Sequence, residues 1–360
     1  MSYQGVIEKY RKYLPVRDET PVITLLEGNT PLIKADNLAS SLGVKFGLFL
    51  KYEGMNPTGS FKDRGMTVAV SRAKEKGAQA VICASTGNTA ASASAYAARA
   101  GMRCIVVIPE GAIALGKLSQ SLIHNAHVIA ISGNFDQALN LVKGIVEKYP
   151  VTLVNSLNPD RIEGQKTASF EILDVLGKPP DYQFMPVGNA GNITAYWQGY
   201  KEAVSRYTFN VSRLPKMMGF QAEGSAPIVK GHSIDQPRTI ATAIRIGNPA
   251  SWKRAEKARD ESGGVIDTVT DEEIIEAYKL LAKTEGIFVE PASAASVAGL
   301  KKYIGNGFFH KKEGQRNTAI TVVCILTGHG LKDPDCAIKN IEKPRVVKPE
   351  LSAVVREMAL

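Results

Sequence analysis

Lys62 sits in the run Asn56-Pro57-Thr58-Gly59-Ser60-Phe61-Lys62-Asp63-Arg64-Gly65, and the stretch from Met66 to Ala73 continues as helix. A lysine beside an aspartate ordinarily reads as a solvated pair. At a junction between a proline and glycine turn and a helix it can instead be held in a cleft, which makes it a candidate for covalent work. Ser85-Thr86-Gly87-Asn88-Thr89 follows the apolar Val81-Ile82-Cys83. Hydroxyls and backbone N–H groups at such a strand-to-helix turn can grip a carboxylate, helped by the positive end of the next helix. Plain N-capping by Ser85 or Thr86 is the simpler alternative.

Gly188-Asn189-Ala190-Gly191-Asn192 repeats this arrangement after Phe184-Met185-Pro186-Val187. Two glycines separated by two residues allow close backbone approach, so successive amides can cradle a phosphate, although a structural glycine turn has the same pattern. Thr327-Gly328-His329-Gly330 ends another apolar run, and Thr327 can offer a neutral hydroxyl to a buried heteroatom. Glu290, before Pro291, opens a helix and can simply support the core. Asn155, Ser156 and Arg161 form a polar cluster in which Arg161 can clamp a phosphate through two parallel hydrogen bonds. An exposed arginine at a helix start is the plain reading of the same spacing. Lys117 is a weaker candidate on charge and position alone.

Other chemistries find little support. The sequence contains no HExxH site, no GxSxG elbow, and neither GxGxxG nor GxxxxGK[ST]. His124 and His127 lack an acidic or cysteine ligand nearby, so no metal is expected. Cys83, Cys104, Cys324 and Cys336 lie in or beside apolar runs without zinc or redox spacing and read as core filling. The net charge of +9 is spread among acids, without an arginine-rich arm. That favours small anionic ligands over nucleic acid. Lys253 to Arg259 reads as a solvated helix face. No signal peptide or apolar run of membrane-spanning length is seen, so a cytoplasmic setting is expected.

Such loops need a scaffold, and the chain supplies one by alternating short apolar runs with alanine-rich amphipathic segments, as in parallel sheets covered by helices. Strands are expected at 47–51, 80–83, 103–108, 126–131, 151–155, 182–186, 216–222 and 318–326. Helices are expected at 63–76, 88–100, 117–125, 135–148, 164–176, 191–205, 271–285 and 292–302. Pro109-Glu110-Gly111 marks a rim turn, and Thr270 can cap the helix opened by Asp271-Glu272-Glu273. At 360 residues two packed units are natural. A smaller mobile one at 52–154 is expected to interrupt a larger one at 1–51 and 155–345, with 346–360 as a tail.

Taken together, the segments 56–64, 85–89, 188–192 and 327–334 resemble the threonine synthase family, among the pyridoxal phosphate enzymes of the tryptophan synthase beta-chain fold. The resemblance covers most of residues 20 to 335. It implies an α/β architecture of two open twisted sheets covered by helices, a homodimer, and pyridoxal 5'-phosphate as cofactor. It assigns Lys62 the Schiff-base link, with Phe61 beside it, and Asp63 an architectural part. Asn88 would meet the phenolic oxygen, Gly188, Asn189, Ala190, Gly191 and Asn192 the cofactor phosphate, and Thr327 the pyridine nitrogen. Ser85, Thr86 and Thr89 would hold the substrate carboxylate, and Asn155, Ser156, Arg161 and Asn189 its phosphate. The implied reaction converts O-phospho-L-homoserine and water to L-threonine and phosphate by γ-elimination and β-hydration, with Lys62 moving protons. A serine or threonine dehydratase, or a non-catalytic regulatory protein that binds the cofactor, is the alternative.

Overall fold

The computed structural model describes residues 2–110, 115–133, 135–206, 213–309, 320–341 and 345–358. The chain begins with α1 (Val6–Tyr10), β1 (Leu32–Lys34), α2 (Asp36–Ser41), β2 (Gly47–Tyr52) and α3 (Lys62–Glu75). Then come β3 (Ala80–Ala84), α4 (Asn88–Ala100), β4 (Arg103–Pro109), α5 (Leu115–Ile123), β5 (His127–Ile131), α6 (Phe135–Val146), β6 (Val151–Leu153) and α7 (Pro159–Leu176). It continues through β7 (Tyr182–Pro186), α8 (Gly191–Arg206), β8 (Lys216–Ala222), α9 (Pro227–Lys230), α10 (Trp252–Ser262) and β9 (Val265–Val269). Last are α11 (Asp271–Glu285), α12 (Pro291–Gly305), β10 (Thr321–Leu326), α13 (Pro334–Asn340) and α14 (Leu351–Glu357).

Two sheets result, one of six strands in the order β1-β2-β10-β7-β8-β9 and one of four in the order β5-β4-β3-β6. β1 runs antiparallel to β2, with Leu32 opposite Lys51, and the other pairings are parallel. Parallel strands joined by helices are covered on both faces, which explains their continuous apolar runs. In β10, Val322, Cys324 and Leu326 enter one core, with α11 and α12, while Val323 and Ile325 enter another, with α1, α7 and α8. β3 divides similarly, Val81 and Cys83 facing one way and Ile82 and Ala84 the other.

The expected segments at 88–100, 182–186, 216–222 and 271–285 occur at those bounds. Thr270 makes a capping box with Glu273 at the start of α11. α7 begins earlier than expected, because Pro159 occupies its first turn and the Asn158 side chain accepts from Asp160 N at 2.8 Å. Gly164 therefore lies inside a helix, where its missing side chain lets α7 lie against α3. A Cβ there would sit 1.9 Å from the Arg64 carbonyl oxygen, and one on Gly65 would meet the Arg161 carbonyl oxygen at 2.6 Å. Gly111, Thr318 and the Lys117 side chain lie outside the described residues.

Candidate active site

Loops leaving the carboxyl ends of β2, β3, β7 and β10 carry the residues singled out by their sequence, the rim where open parallel sheets bind ligands. The loop before α3 is tied to the loop after β10. Phe61 N donates to the Thr327 carbonyl at 3.1 Å, and His329 N donates to the Gly59 carbonyl at 2.9 Å. Asp63, fully buried, accepts from Thr58 N at 2.7 Å and from the Thr58 and Ser92 hydroxyls at 2.6 Å each. Burial pushes its carboxyl up to about 6 against those donors.

Lys62 begins α3, half-buried, with Nζ 4.2 Å from the centre of the Phe61 ring. Burial, and after it the Arg161 charge, lower its ammonium to about 7, with Glu290 acting in the opposite sense. Arg161 comes from the first turns of α7 and is fully buried, unlike the exposed helix-start residue its spacing suggests. Its Nη1 donates to the Val154 carbonyl at 2.8 Å, while Nε and Nη2 are buried without a partner. Burying a guanidinium with two donors unmatched is costly, so this spot is prepared for an anion.

A second such spot lies at the start of α8. Both amide atoms of Asn192 are buried without partners. Gly188 lies so close to Ile244 that a Cβ would come within 3.0 Å of the Ile244 Cα. Ala190 adopts φ +63°, left-handed backbone that is strained for alanine and turns the chain sharply there. Asn189 is held by its carbonyl, which accepts from Ser251 N at 3.1 Å. Orphan N–H groups at the N-terminus of a long helix suit a phosphate.

Ser85, Thr86, Gly87, Asn88 and Thr89 are half-buried between β3 and α4, and the Ser85 hydroxyl accepts from Gly87 N at 3.2 Å. Asn155 spans β6 and β3, its Oδ1 accepting from Ala84 N and its Nδ2 donating to the Ala84 carbonyl, both at 2.9 Å. One Nδ2 hydrogen is left over. Ser156 follows, half-buried.

Three residues outside the expected set complete the site. Glu290 accepts from Asn88 Nδ2 at 2.9 Å and from the Thr327 hydroxyl at 3.0 Å. Burial raises its carboxyl, opposed by those two donors and by the Lys332 and Lys62 charges. The Ser293 hydroxyl lies 3.0 Å from that of Thr327 and accepts from Gly328 N at 2.9 Å. Lys332 Nζ donates to the Thr58 carbonyl at 3.0 Å and to Gln120 of α5. The sequence signal for Glu290 was its place before Pro291; nothing local named its partners. Among the described residues no cluster of three or more His, Cys, Asp or Glu is placed to hold a metal.

The family model described as "Pyridoxal-phosphate dependent enzyme" matches residues 23–328. Two proteins called threonine synthase are similar over nearly the whole chain. That of Synechocystis sp. is 60% identical, covering 99% of this chain and 91% of its own. That of Halalkalibacterium halodurans is 58% identical, covering 97% and 95%. Among solved structures, maize serine racemase superposes with a TM-score of 0.73 over 93% of this chain and 94% of its own, at 19% identity. That likeness concerns the fold alone.

Proposed function

The chain belongs to the pyridoxal-phosphate dependent enzymes and, within them, to the threonine synthases, and from that premise we propose that it converts O-phospho-L-homoserine and water to L-threonine and phosphate. It is a carbon–oxygen lyase acting on a phosphate, working in amino-acid biosynthesis. The observation that carries the choice of substrate is the presence of two separate anion-ready spots, Asn192 at the start of α8 and Arg161 beside Lys62. One suits the cofactor phosphate. A substrate without a phosphate leaves the second unmatched.

The residues fit the cofactor: a lysine whose ammonium is lowered to about 7, an N-terminal helix turn with orphan amide atoms, and hydroxyl and amide groups on facing loops. Lys62 would hold it covalently, Phe61 would pack beside it, and Gly188, Asn189, Ala190, Gly191 and Asn192 would hold its phosphate. Asn88 would meet its phenolic oxygen and Thr327 its ring nitrogen. When bound, pyridoxal phosphate supplies an aldehyde for the substrate amine and a conjugated ring that draws electrons from the neighbouring carbons.

The chain's own residues do the rest. Lys62, lowered to about 7, is an effective base and, once protonated, an effective acid at neutral pH, so it can take the α proton and return one. Ser85, Thr86 and Thr89 grip the substrate carboxylate. Arg161 Nε and Nη2, with Ser156, Asn189 and the spare Asn155 hydrogen, hold the leaving phosphate. Closing the rim excludes bulk water while one molecule adds at the β carbon.

Incubation of cofactor-loaded protein with O-phospho-L-homoserine is the test. Threonine and phosphate in equal amounts are expected, whereas phosphate with mainly 2-oxobutyrate overturns the hydration step. The same reading takes residues 1–51 and 155–345 as the larger unit, 52–154 as the smaller mobile one and 346–360 as a tail. The four-stranded sheet between Ala80 and Leu153 supports it. It also takes the protein as a cytoplasmic homodimer, for which sedimentation gives the mass. Among the described residues no helix is long and apolar enough to cross a membrane.

A further inference from the structure

Three side chains spaced four residues apart on α4, those of Asn88, Ser92 and Tyr96, each donate to a carboxyl group buried elsewhere in the fold. Asn88 Nδ2 donates to Glu290 Oε2 at 2.9 Å, the Ser92 hydroxyl to Asp63 Oδ1 at 2.6 Å, and the Tyr96 hydroxyl to Glu27 Oε2 at 2.7 Å. Residues so spaced lie along one side of a helix. Their acceptors come from three parts of the chain: Glu290 precedes α12, Asp63 belongs to α3, and Glu27 lies in the segment before β1. All three acceptors are buried. A serine inside a helix commonly bonds back to its own turn, as Ser94 does to the Ala90 carbonyl at 2.8 Å, whereas Ser92 reaches outward.

The apolar side of α4 offers less purchase. Ala90, Ala93 and Ala97 pack with Val81 and Cys83 of β3, and single methyl groups interlock shallowly, so they fix the height of the helix along its axis only weakly. Directed hydrogen bonds to three separate elements fix it. The turn from Ser85 to Thr89 leads straight into this helix. A Cβ on Gly87 would meet nothing within 4 Å, so that point of the turn faces open space and is held from behind.

We propose that Ser92 and Tyr96, with Asn88, are positioning residues that set the height of α4 and so hold the turn where it grips the substrate carboxylate, an assignment that rests on the part given to that turn above. Hydrogen bonds weaken steeply as their donors swing out of line, and a site holds its geometry only when the residues behind it are themselves locked. Ser92 and Tyr96, one and two helical turns behind Asn88, therefore govern a contact they do not make.

Ser92→Ala and Tyr96→Phe test this, because each removes one donor and leaves its acceptor supplied. Asp63 keeps the Thr58 N–H and hydroxyl, and Glu27 keeps the Val6 and Leu25 N–H groups and the Thr24 hydroxyl. The holoenzyme is titrated, by its visible absorbance, with L-threonine and with L-threoninol, the amino alcohol in which a hydroxymethyl group replaces the carboxylate. The dissociation constant of pyridoxal phosphate is measured separately. The wild type is expected to bind threonine more tightly than threoninol. In each variant the threonine dissociation constant is expected to rise about fivefold, the worth of one hydrogen bond, with those of threoninol and pyridoxal phosphate unmoved. Threonine and threoninol weakened alike signal a general loosening, the mark of a merely structural role, and overturn the proposal. Should Ser92→Ala fail to fold, Tyr96→Phe carries the test. A wild type that binds both ligands alike shows that the turn does not hold the carboxylate, and the reading of the site fails with it. A wild-type preference for threonine that persists undiminished in the variants sinks only the part given to Ser92 and Tyr96.

Discussion

Lys62 owes its chemistry first to burial and then to two neighbours of opposite charge. Burial and then Arg161 lower its ammonium to about 7, and Glu290 restrains the shift. Below that value the neutral fraction grows tenfold per pH unit, and above it the fraction saturates. The rate at which cofactor-free protein captures pyridoxal phosphate, followed by borohydride trapping, is therefore expected to rise to about pH 7 and then level off. A rise continuing to pH 10 would mean an ordinary lysine. Arg161→Gln removes a repelling cation, so the levelling point should move to higher pH. The same change removes the donors Nε and Nη2, and losing a buried charged contact to the substrate phosphate costs about 2–5 kcal/mol. A kcat/KM for O-phospho-L-homoserine reduced at least roughly thirtyfold is expected, and an undiminished value would remove Arg161 from the phosphate site. Lys62 was legible because its turn and helix are local. The burial of Arg161 and the pairing of Glu290 with Asn88 were not, since both come from elements far apart along the chain.

Arg161 reaches Lys62 because α7 lies against α3 at two glycines. The Cβ that Gly164→Ala adds would fall 1.9 Å from the Arg64 carbonyl oxygen, and no rotamer change moves a backbone atom. The helices must separate, at a cost of about 1–3 kcal/mol. Urea unfolding should show that loss, and the pH at which Lys62 becomes reactive should rise as Arg161 withdraws. Gly144→Ala in α6 is the contrast, because nothing lies within 4 Å of its added methyl. It is expected to stabilise by about 0.4–1 kcal/mol. The same glycine explains why α7 was misjudged in sequence: Gly164 looks like a helix start, yet it serves a helix crossing. Segments with long apolar or alanine-rich runs, such as β8 and α4, were legible because their burial pattern is local. β1 has three residues, and β9 is mostly half-buried. Neither carries enough periodicity to announce itself.

Contacts of two kinds join the parts of the molecule. Near α7, Arg64 pairs with Glu53 and Glu171 at 2.6 Å each, and Lys51 pairs with Glu171 at 2.7 Å, all buried. Burial alone would raise the Glu171 carboxyl, but Arg64 and Lys51 pull it well below the usual carboxylate range. A depressed carboxylate stabilises the fold at pH above its unfolded value near 4.5, and that contribution is lost as the pH falls below it. At the rim the ties are slighter: Asn88 to Glu290, and Lys332 to Gln120 and the Thr58 carbonyl. The four-stranded sheet is thus held firmly through α3 and lightly over the site, which favours the proposal that the smaller unit moves. Arg64→Met leaves two buried carboxylates short of their partner and should cost about 3–5 kcal/mol in urea unfolding at pH 7. Part of that difference should vanish at pH 4, where Glu171, no longer held down by Arg64, takes up a proton more readily. Lys332→Met removes one of these rim ties. Global stability should change by no more than about 1 kcal/mol, while amide hydrogen exchange in α5, residues 115–123, should quicken in the ligand-free protein. Equal exchange in both proteins, or a collapse of stability in Lys332→Met, would show that α5 is anchored elsewhere and that the cleft does not open at this edge.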